Sequence, residues 1–175
     1  MKKTLILLFV LTLALLHASC SDDVSKTYSQ KYRVMCGFST TSYPELLAVM
    51  DNFGQWATIR QSGSKIIMSS ASSTNSYNID ALSESFQYGL GGIIVGTDIY
   101  GNYRAYDLAC PNCDQASRRL SISDDGTCQC ARCEVTYDLN NDGVIVDKGN
   151  GTHAKPRGLW RYPVKYGNFY VQIIN

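Results

Sequence analysis

The stretch Cys110–Cys133, with the sequence CPNCDQASRRLSISDDGTCQCARC, decides how the whole chain is interpreted. It contains two CxxC pairs, Cys110 with Cys113 and Cys130 with Cys133, separated by sixteen residues. Two residues between paired cysteines allow a tight turn to direct both thiolates at one ion, and a second such pair completes a tetrahedral set of sulfur ligands. The stretch therefore predicts a metal centre with these four cysteines as ligands, holding Zn²⁺ or a single iron.

Disulfide bonds are the alternative for these cysteines, since an exported protein permits them. The metal is favoured because neighbouring CxxC pairs are poor cross-strand links. Cys128, two residues before Cys130, could be a fifth ligand or a local disulfide partner, and it is left out of the predicted site. Cys36 has no partner nearby in sequence and is interpreted as a small buried hydrophobic residue.

The fold class follows from composition and periodicity. A chain of 175 residues fits one ordinary domain, and its twelve tyrosines and fourteen glycines favour short strands and turns. Pro44–Asn52 is the one predicted helix, because Pro44 suits a first helical position and Gly54 is placed to end the segment. The expected fold is all-β with one short helix.

The expected strands are short apolar or alternating runs bounded by turn residues. The Ser70–Asn78 segment, SASSTNSYN, is predicted to be a surface loop, and residues 159–175 are predicted to form two closing strands that supply core residues. The strands are expected at Tyr32–Gly37, Trp56–Arg60, Lys65–Ser70, Ile93–Val95, Tyr103–Leu108, Leu120–Ile122, Val135–Leu139 and Val144–Val146, and the core residues of the closing strands are Leu159, Tyr162, Val164, Phe169, Val171 and Ile173.

Charge and histidine content exclude several function classes. The 16 basic and 15 acidic residues balance, which argues against a nucleic-acid-binding surface. The two histidines are His17, in a segment expected to be removed, and His153, expected on a loop. A site that needs two histidines is therefore excluded, and no nucleophile is paired with a base, so the chain is not expected to be a hydrolytic or transferase enzyme.

The N-terminus has the pattern of an export signal. Residues 1–19 combine two lysines with an apolar run that is short for a membrane span, and Cys20 follows small residues. The LLHASC sequence is similar to a bacterial lipobox, and Ser21-Asp22-Asp23 resembles the surface-export signal of Bacteroidetes lipoproteins. The expected organisation is a signal peptide at 1–19, a tether at 20–30 lipidated on Cys20, and one domain at 31–175 with metal-binding loops at 109–139. The alternative is ordinary secretion with Cys20 as a free or paired thiol.

Two other motifs are interpreted as structural. The Gly89–Gly92 sequence, GLGG, precedes a β-branched run, whereas a phosphate loop follows a strand and opens a helix. The Asp138–Gly143 sequence, DLNNDG, matches the first half of a calcium loop, but Gly149 stands where that loop needs a glutamate.

From about Gly91 to Ile173 the order of features resembles the Rieske fold. The segments AYDLACPNC and CARCEVTYDLNNDGVIV are similar to those of Rieske-like lipoproteins from Bacteroides and relatives. The resemblance implies a Rieske-like β sandwich or barrel with a rubredoxin-like subdomain of two ligand loops. In Rieske proteins two cysteines and two histidines hold a [2Fe–2S] cluster, whereas here Cys113 and Cys133 occupy the histidine positions.

Two functions are therefore expected. In the first, the four cysteines hold one structural zinc or iron in a binding or scaffold module, anchored to the outer membrane and exposed at the cell surface. In the second, they hold a [2Fe–2S] cluster and the protein transfers electrons to a redox partner. The sequence favours the first.

Overall fold

The computed structural model describes residues 28–175, which form an almost entirely β-sheet fold with one α-helix. The all-β prediction is confirmed. The expected signal peptide, Cys20 and most of the expected tether lie outside the described residues. Within residues 28–175 no helix is both long and apolar enough to cross a bilayer.

Six antiparallel strands make a central sheet in the order β12-β7-β6-β2-β3-β4. Its strands are β2 (Gln55–Ser62), β3 (Lys65–Ser70), β4 (Thr74–Asn78), β6 (Ile93–Thr97), β7 (Tyr103–Asp107) and β12 (Arg161–Tyr162). The predicted hairpin between β6 and β7 is confirmed, because Thr97 pairs with Tyr103 across the turn.

Two four-stranded sheets accompany the central sheet. The terminal sheet, in the order β13-β14-β1-β5, brings both ends of the described chain together. The metal-side sheet, in the order β11-β10-β9-β8, contains Cys130 at the end of one strand, and Cys133 lies in the turn that follows. The terminal sheet comprises β1 (Val34–Ser39), β5 (Gln87–Tyr88), β13 (Val164–Gly167) and β14 (Tyr170–Ile174), and the metal-side sheet comprises β8 (Leu120–Ile122), β9 (Thr127–Cys130), β10 (Thr136–Asp138) and β11 (Val144–Asp147).

Both faces of the central sheet are buried, each against a different core. Successive side chains of a strand point to opposite sides, so neighbouring residues of one strand belong to different cores. On β2, Ala57 and Ile59 belong to the main core, which also contains residues of the helix and the terminal sheet. Trp56 belongs to a second cluster that contains three of the four CxxC cysteines as buried members and packs against Cys113. The central sheet thus separates a main core from a metal-side core.

The helix α1 (Pro44–Met50) ends two residues earlier than predicted. Pro44 is at its start, and Leu46, Val49 and Met50 are buried in the main core. The side-chain amide of Asn52 donates a hydrogen bond to the carbonyl of Ala48 at 2.7 Å, which satisfies one of the carbonyls left free in the last turn.

The predicted surface loop at Ser70–Asn78 is wrong, because Thr74–Asn78 forms β4 at the edge of the central sheet. Its polar side chains are held by Glu45, a fully buried carboxylate in the first turn of the helix. Tyr77 donates its hydroxyl to Glu45 at 2.8 Å, and Ser73 and Asn75 also donate to this carboxylate. The strand thus pairs with the neighbouring β3 through its backbone, and its side-chain contacts with Glu45 come from a residue distant in sequence.

The C-terminal segment differs from the prediction in two ways. It contains three strands instead of two, since Arg161–Tyr162 pairs separately with β7. Phe169, predicted to be a core residue, is 58% exposed. Asn168 and Phe169 both have positive φ, 52° and 56°, in the turn between β13 and β14, which places Phe169 outside the core. Val171 and Ile173 are fully buried as predicted.

Candidate metal centre

The four predicted ligands come from two loops on the metal-side core. We call Cys110–Asp114 the first knuckle and Cys130–Glu134 the second knuckle. The first follows β7 and leads towards β8, and the second forms the tip of the hairpin between β9 and β10. The sheet pairing of β9 with both β8 and β10 brings these two loops together.

The two knuckles form the same type of backbone turn. The amide of Asp114 donates to the carbonyl of Cys110 at 3.0 Å, and the amide of Glu134 donates to the carbonyl of Cys130 at 2.8 Å. Asp114 and Glu134 have φ values of 53° and 62°, in the left-handed region that is uncommon for residues other than glycine. The repeated CxxC spacing has thus folded into two equivalent turns.

The sulfur atoms of the four cysteines lie close enough together to bind a common metal. Cys110 Sγ is 3.6 Å from Cys133 Sγ, Cys113 Sγ is 3.7 Å from Cys130 Sγ, and all four sulfurs lie within 4.8 Å of one another. A tetrahedral ion with metal–sulfur bonds of about 2.3 Å separates its sulfurs by about 3.8 Å. The four thiols are not joined by disulfide bonds. These cysteines can therefore hold a metal ion.

Three of the four cysteines are buried, and Cys113 is partly exposed. Burial raises the pKa of the Cys133 thiol to about 11, and burial together with hydrogen bonding to Cys130 raises the pKa of Cys113. Burial also acts to raise the pKa of Cys130, but backbone amides of Cys133 and Arg132 donate to its sulfur and leave the pKa lowered. In the absence of a cation the cluster thus resists carrying several negative charges, which a metal ion would compensate.

A hydrogen-bond chain supports the first knuckle. The hydroxyl of Tyr137 lies 3.5 Å from Cys110 Sγ and accepts a hydrogen bond from Asn112 Nδ2 at 2.7 Å, so its own proton can be donated to the sulfur. Asn112 also exchanges two hydrogen bonds with the backbone of Arg157, at 2.8 and 3.1 Å. Tyr137 and Asn112 therefore link the first knuckle to the metal-side sheet and to the loop before β12.

The same loop is attached to the second knuckle. Asn150 donates its amide to the carbonyl of Cys133 at 3.1 Å and its side chain to the carbonyl of Arg132 at 3.3 Å. Gly149 packs so closely that a Cβ atom there would lie 2.1 Å from the Cys133 carbonyl oxygen. The residues between β11 and β12 thus connect both knuckles. His153 lies on this loop as predicted, and its Nε2 is buried with no hydrogen-bond partner among the described residues.

The N-terminal end of the described chain also contacts the first knuckle. Lys31 and Tyr32 both bond the carboxylate of Asp114, and these two contacts lower the pKa of Asp114. The Lys31 amine lies 5.0 Å from the centroid of the Trp160 ring. Ser29, which the sequence assigns to the tether, already donates its amide to the carbonyl of Arg161 at 2.8 Å.

Asp107, three residues before Cys110, is a fully buried carboxylate at the base of the first knuckle. It accepts hydrogen bonds from the amides of Leu90, Gly91 and Ala109 and from the hydroxyl of Tyr162, at 2.7 to 3.0 Å. Burial raises the pKa of Asp107, although these four donors favour the ionised form. The glycine-rich loop therefore directs two of its amides at an internal carboxylate, which agrees with its structural interpretation.

The remaining sequence candidates lie outside the cluster. Cys36 and Cys128 are buried free thiols, and neither belongs to the group of four. In the calcium-like segment Asp142 bonds Arg104 and Arg161, and Asn140 accepts the amide of Ile99 at 3.2 Å. These oxygens are therefore engaged in protein contacts.

Sequence reasoning missed Asp107, Asn112 and Tyr137 as supporting residues. Their positions in the sequence could have indicated a supporting role. Asp107 is a charged residue at the end of a buried strand, and Asn112 lies between the two cysteines of the first CxxC pair. Their partners, Tyr162 and Arg157, are 55 and 45 residues away and carry no such signal.

The fold and the site define an all-β domain with a four-cysteine cluster that can hold a metal. Comparison of the sequence with protein-family models and with curated proteins gives no match.

Proposed function

We propose that this protein binds one metal ion through Cys110, Cys113, Cys130 and Cys133, and that the ion is structural Zn²⁺ or a single iron. The observation that carries the proposal is the sulfur geometry, with cross-knuckle distances of 3.6 and 3.7 Å. These distances are close to the edge of a tetrahedron around one ion and far longer than the roughly 2 Å of a disulfide bond.

The metal would stabilise the metal-side core. This cluster contains three of the ligands themselves as buried members, and its sheet has strands of only three or four residues. A structural zinc ion contributes on the order of 10 kcal/mol to the folding of small metal-binding domains. Such a contribution is large for a sheet of this size.

We further propose that the domain is a non-catalytic binding or scaffold module of a Rieske-like lipoprotein. The support comes from the sequence: the export signal, the lipobox-like segment ending at Cys20, and the resemblance of both ligand loops to Rieske-like lipoproteins of Bacteroides. In this proposal Cys20 carries the lipid that attaches the protein to the outer membrane, at the cell surface. Its partner is another protein, and nucleic acid is not a ligand.

A [2Fe–2S] electron-transfer protein is the second candidate, with a redox protein as partner. It is favoured by the Rieske-like order of features and by the partial exposure of Cys113, which gives one ligand access to a partner. A two-iron cluster places bridging sulfides between its two pairs of thiolates, so thiolates on different irons are farther apart than thiolates on one ion. The compact sulfur cluster therefore supports the single ion more strongly.

Metal analysis of the protein purified with and without oxygen, together with a visible spectrum, separates these candidates. One zinc per chain without visible absorbance is expected for the structural site, and one iron without labile sulfide would also fit a single ion. Two irons with acid-labile sulfide would replace our proposal by the electron-transfer function.

Lipidation is tested independently by metabolic labelling with radioactive palmitate. Incorporation is expected in the wild-type chain and absent in Cys20→Ser. Equal labelling of both chains, or none of either, would contradict the proposed anchor while leaving the metal site unaffected.

A further inference from the structure

A cleft of about 410 Å³ lies beside the glycine-rich loop, and none of the proposed metal ligands lines it. Arg33 and Arg119 line it together with Gln61, Gln87 and Gly89–Gly92. No aspartate or glutamate is among its lining residues. The volume is within the range of roughly 300 to 1,000 Å³ that small-molecule sites occupy. The cleft is thus of a suitable size for a small ligand, and its lining combines the hydrogen-bond donors of two arginines and two glutamines with the aromatic residues Phe86 and Tyr88.

Among residues 28–175, neither of the two arginines has a carboxylate to compensate its positive charge. The ion pairs among residues 28–175 involve Lys31, Arg104 and Arg161, and neither Arg33 nor Arg119 is within ion-pair distance of a carboxylate there. A guanidinium group recognises carboxylate and phosphate oxygens through paired N–H groups. Two unpaired arginines at one cleft therefore favour an anionic ligand.

Arg119 is held in place at the cleft. Its Nε donates a hydrogen bond to the carbonyl of Gly91 at 2.8 Å, which leaves both of its terminal NH₂ groups for other acceptors. This bond fixes one side of the guanidinium plane against the loop, so less conformational entropy is lost when a ligand binds.

The arginines, and not the loop amides, would supply the recognition. A phosphate loop binds anions with its backbone N–H groups, but the amides of Leu90 and Gly91 already donate to Asp107. Gly89 and Gly92 instead allow the loop to pack against the protein interior, since a Cβ at Gly89 would meet the carboxylate of Asp107 and a Cβ at Gly92 the carbonyl of Ile59. Both have positive φ, 70° and 118°, and a Cβ at either would lie within 2.6 Å of another atom.

We infer that this cleft binds a small, doubly charged oxyanion through Arg33 and Arg119. The ligand class is a phosphoryl or dicarboxylate group, and the site is separate from the four-cysteine cluster. The inference does not depend on the identity of the metal.

Calorimetric titration of the purified protein with inorganic phosphate, and separately with succinate, tests this site at constant ionic strength. Saturable binding of one anion per chain is expected, and the tighter of the two identifies the oxyanion group. Arg33→Ala and Arg119→Ala should each weaken binding by roughly tenfold or more, because each removes charge-assisted hydrogen bonds.

Arg118→Ala is the matched control, since it removes the same charge from the neighbouring exposed position, which does not line the cleft. Its affinity should equal that of the wild type. The inference is overturned if neither anion saturates below about 10 mM, a weak affinity, or if Arg118→Ala weakens binding as much as the cleft variants. Metal content and thermal midpoint check the fold of each variant. If Arg119→Ala does not fold, the test rests on Arg33→Ala alone, because the side chain of Arg33 has no hydrogen bond to lose among the described residues.

Discussion

The first and second knuckles have the same turn and the same ligand spacing, but different parts of the molecule hold them. The second knuckle closes a hairpin, and Cys130 donates its amide to the carbonyl of Val135 at 3.1 Å, five residues away. The first knuckle has a corresponding backbone bond, from the amide of Cys110 to the carbonyl of Arg118 at 2.8 Å. It is held in addition by side chains from distant segments, with Asn112 bonded to Arg157 and Asp114 bonded to Lys31. The comparison teaches that a CxxC sequence specifies a turn, whereas the position of that turn depends on its surroundings.

The largest effect is expected from loss of a ligand. Cys133→Ser should abolish metal binding and remove most of its contribution to folding, on the order of 10 kcal/mol. The measurement is metal content together with urea-induced unfolding. Cys128→Ser is the control, because it alters a buried thiol of the same sheet outside the cluster and should keep the metal. Full metal content in Cys133→Ser would remove that residue from the site.

Asp107→Asn should destabilise the first knuckle by roughly 3 kcal/mol, since each carboxylate oxygen accepts two of the four hydrogen bonds and an asparagine NH₂ in place of either oxygen would face two donors. Urea-induced unfolding measures this change. Asp147→Asn is the comparison: its exposed carboxylate accepts one local amide, from Gly149 at 2.8 Å, and an asparagine retains that bond. Equal stability of the two variants would show that the buried carboxylate is not required.

Gly149→Ala and Gly151→Ala separate backbone strain from contact with the second knuckle. Both glycines have similar positive φ, 67° and 74°, but only at Gly149 would the new Cβ meet the Cys133 carbonyl. Gly151→Ala should cost about 1 kcal/mol from strain alone, and Gly149→Ala about 2 to 3 kcal/mol. Thermal unfolding of both variants measures the difference between their stabilities. The two variants should be equally stable if the loop does not pack against the second knuckle.

Asn112→Ala and Arg132→Ala compare equivalent positions in the two knuckles. The first removes the bonds to Tyr137 and Arg157 and should cost roughly 1 to 2 kcal/mol, with faster release of the metal to a chelator. Arg132 is exposed, so its removal should change stability by less than about 0.5 kcal/mol. Similar release rates for both variants would contradict the different support of the two knuckles.

The sequence predicts those features whose determinants are close together along the chain. The strand Lys65–Ser70 and the clustering of the four cysteines are of this kind, because alternation and CxxC spacing act over a few residues. The edge strand Thr74–Asn78 was missed because its residues are mostly polar, and the side chains of Asn75 and Tyr77 are satisfied by Glu45, 30 and 32 residues away.

Phe169 was wrongly placed in the core because its alternation pattern does not reveal a left-handed turn. The supports of the first knuckle were missed for the same reason as the edge strand. Asn112 and Arg157 are 45 residues apart, and Lys31 and Asp114 are 83 apart, so no local pattern connects them. Prediction from one sequence therefore identifies the four clustered cysteines but not the contacts that orient them.

The attachment of the N-terminal segment beside the first knuckle has a mechanical consequence. A pulling force applied at Tyr28 would enter the fold at the bond between Ser29 and Arg161, and then at the contacts of Lys31 and Tyr32 with Asp114. Asp114 directly follows Cys113, so part of the load would reach the cysteine cluster, while the bonds of Ser29 and Tyr32 to the side chain of Asn175 would carry the rest to the terminal sheet. Tension on this end of the chain would thus be divided between the cysteine cluster and the main core.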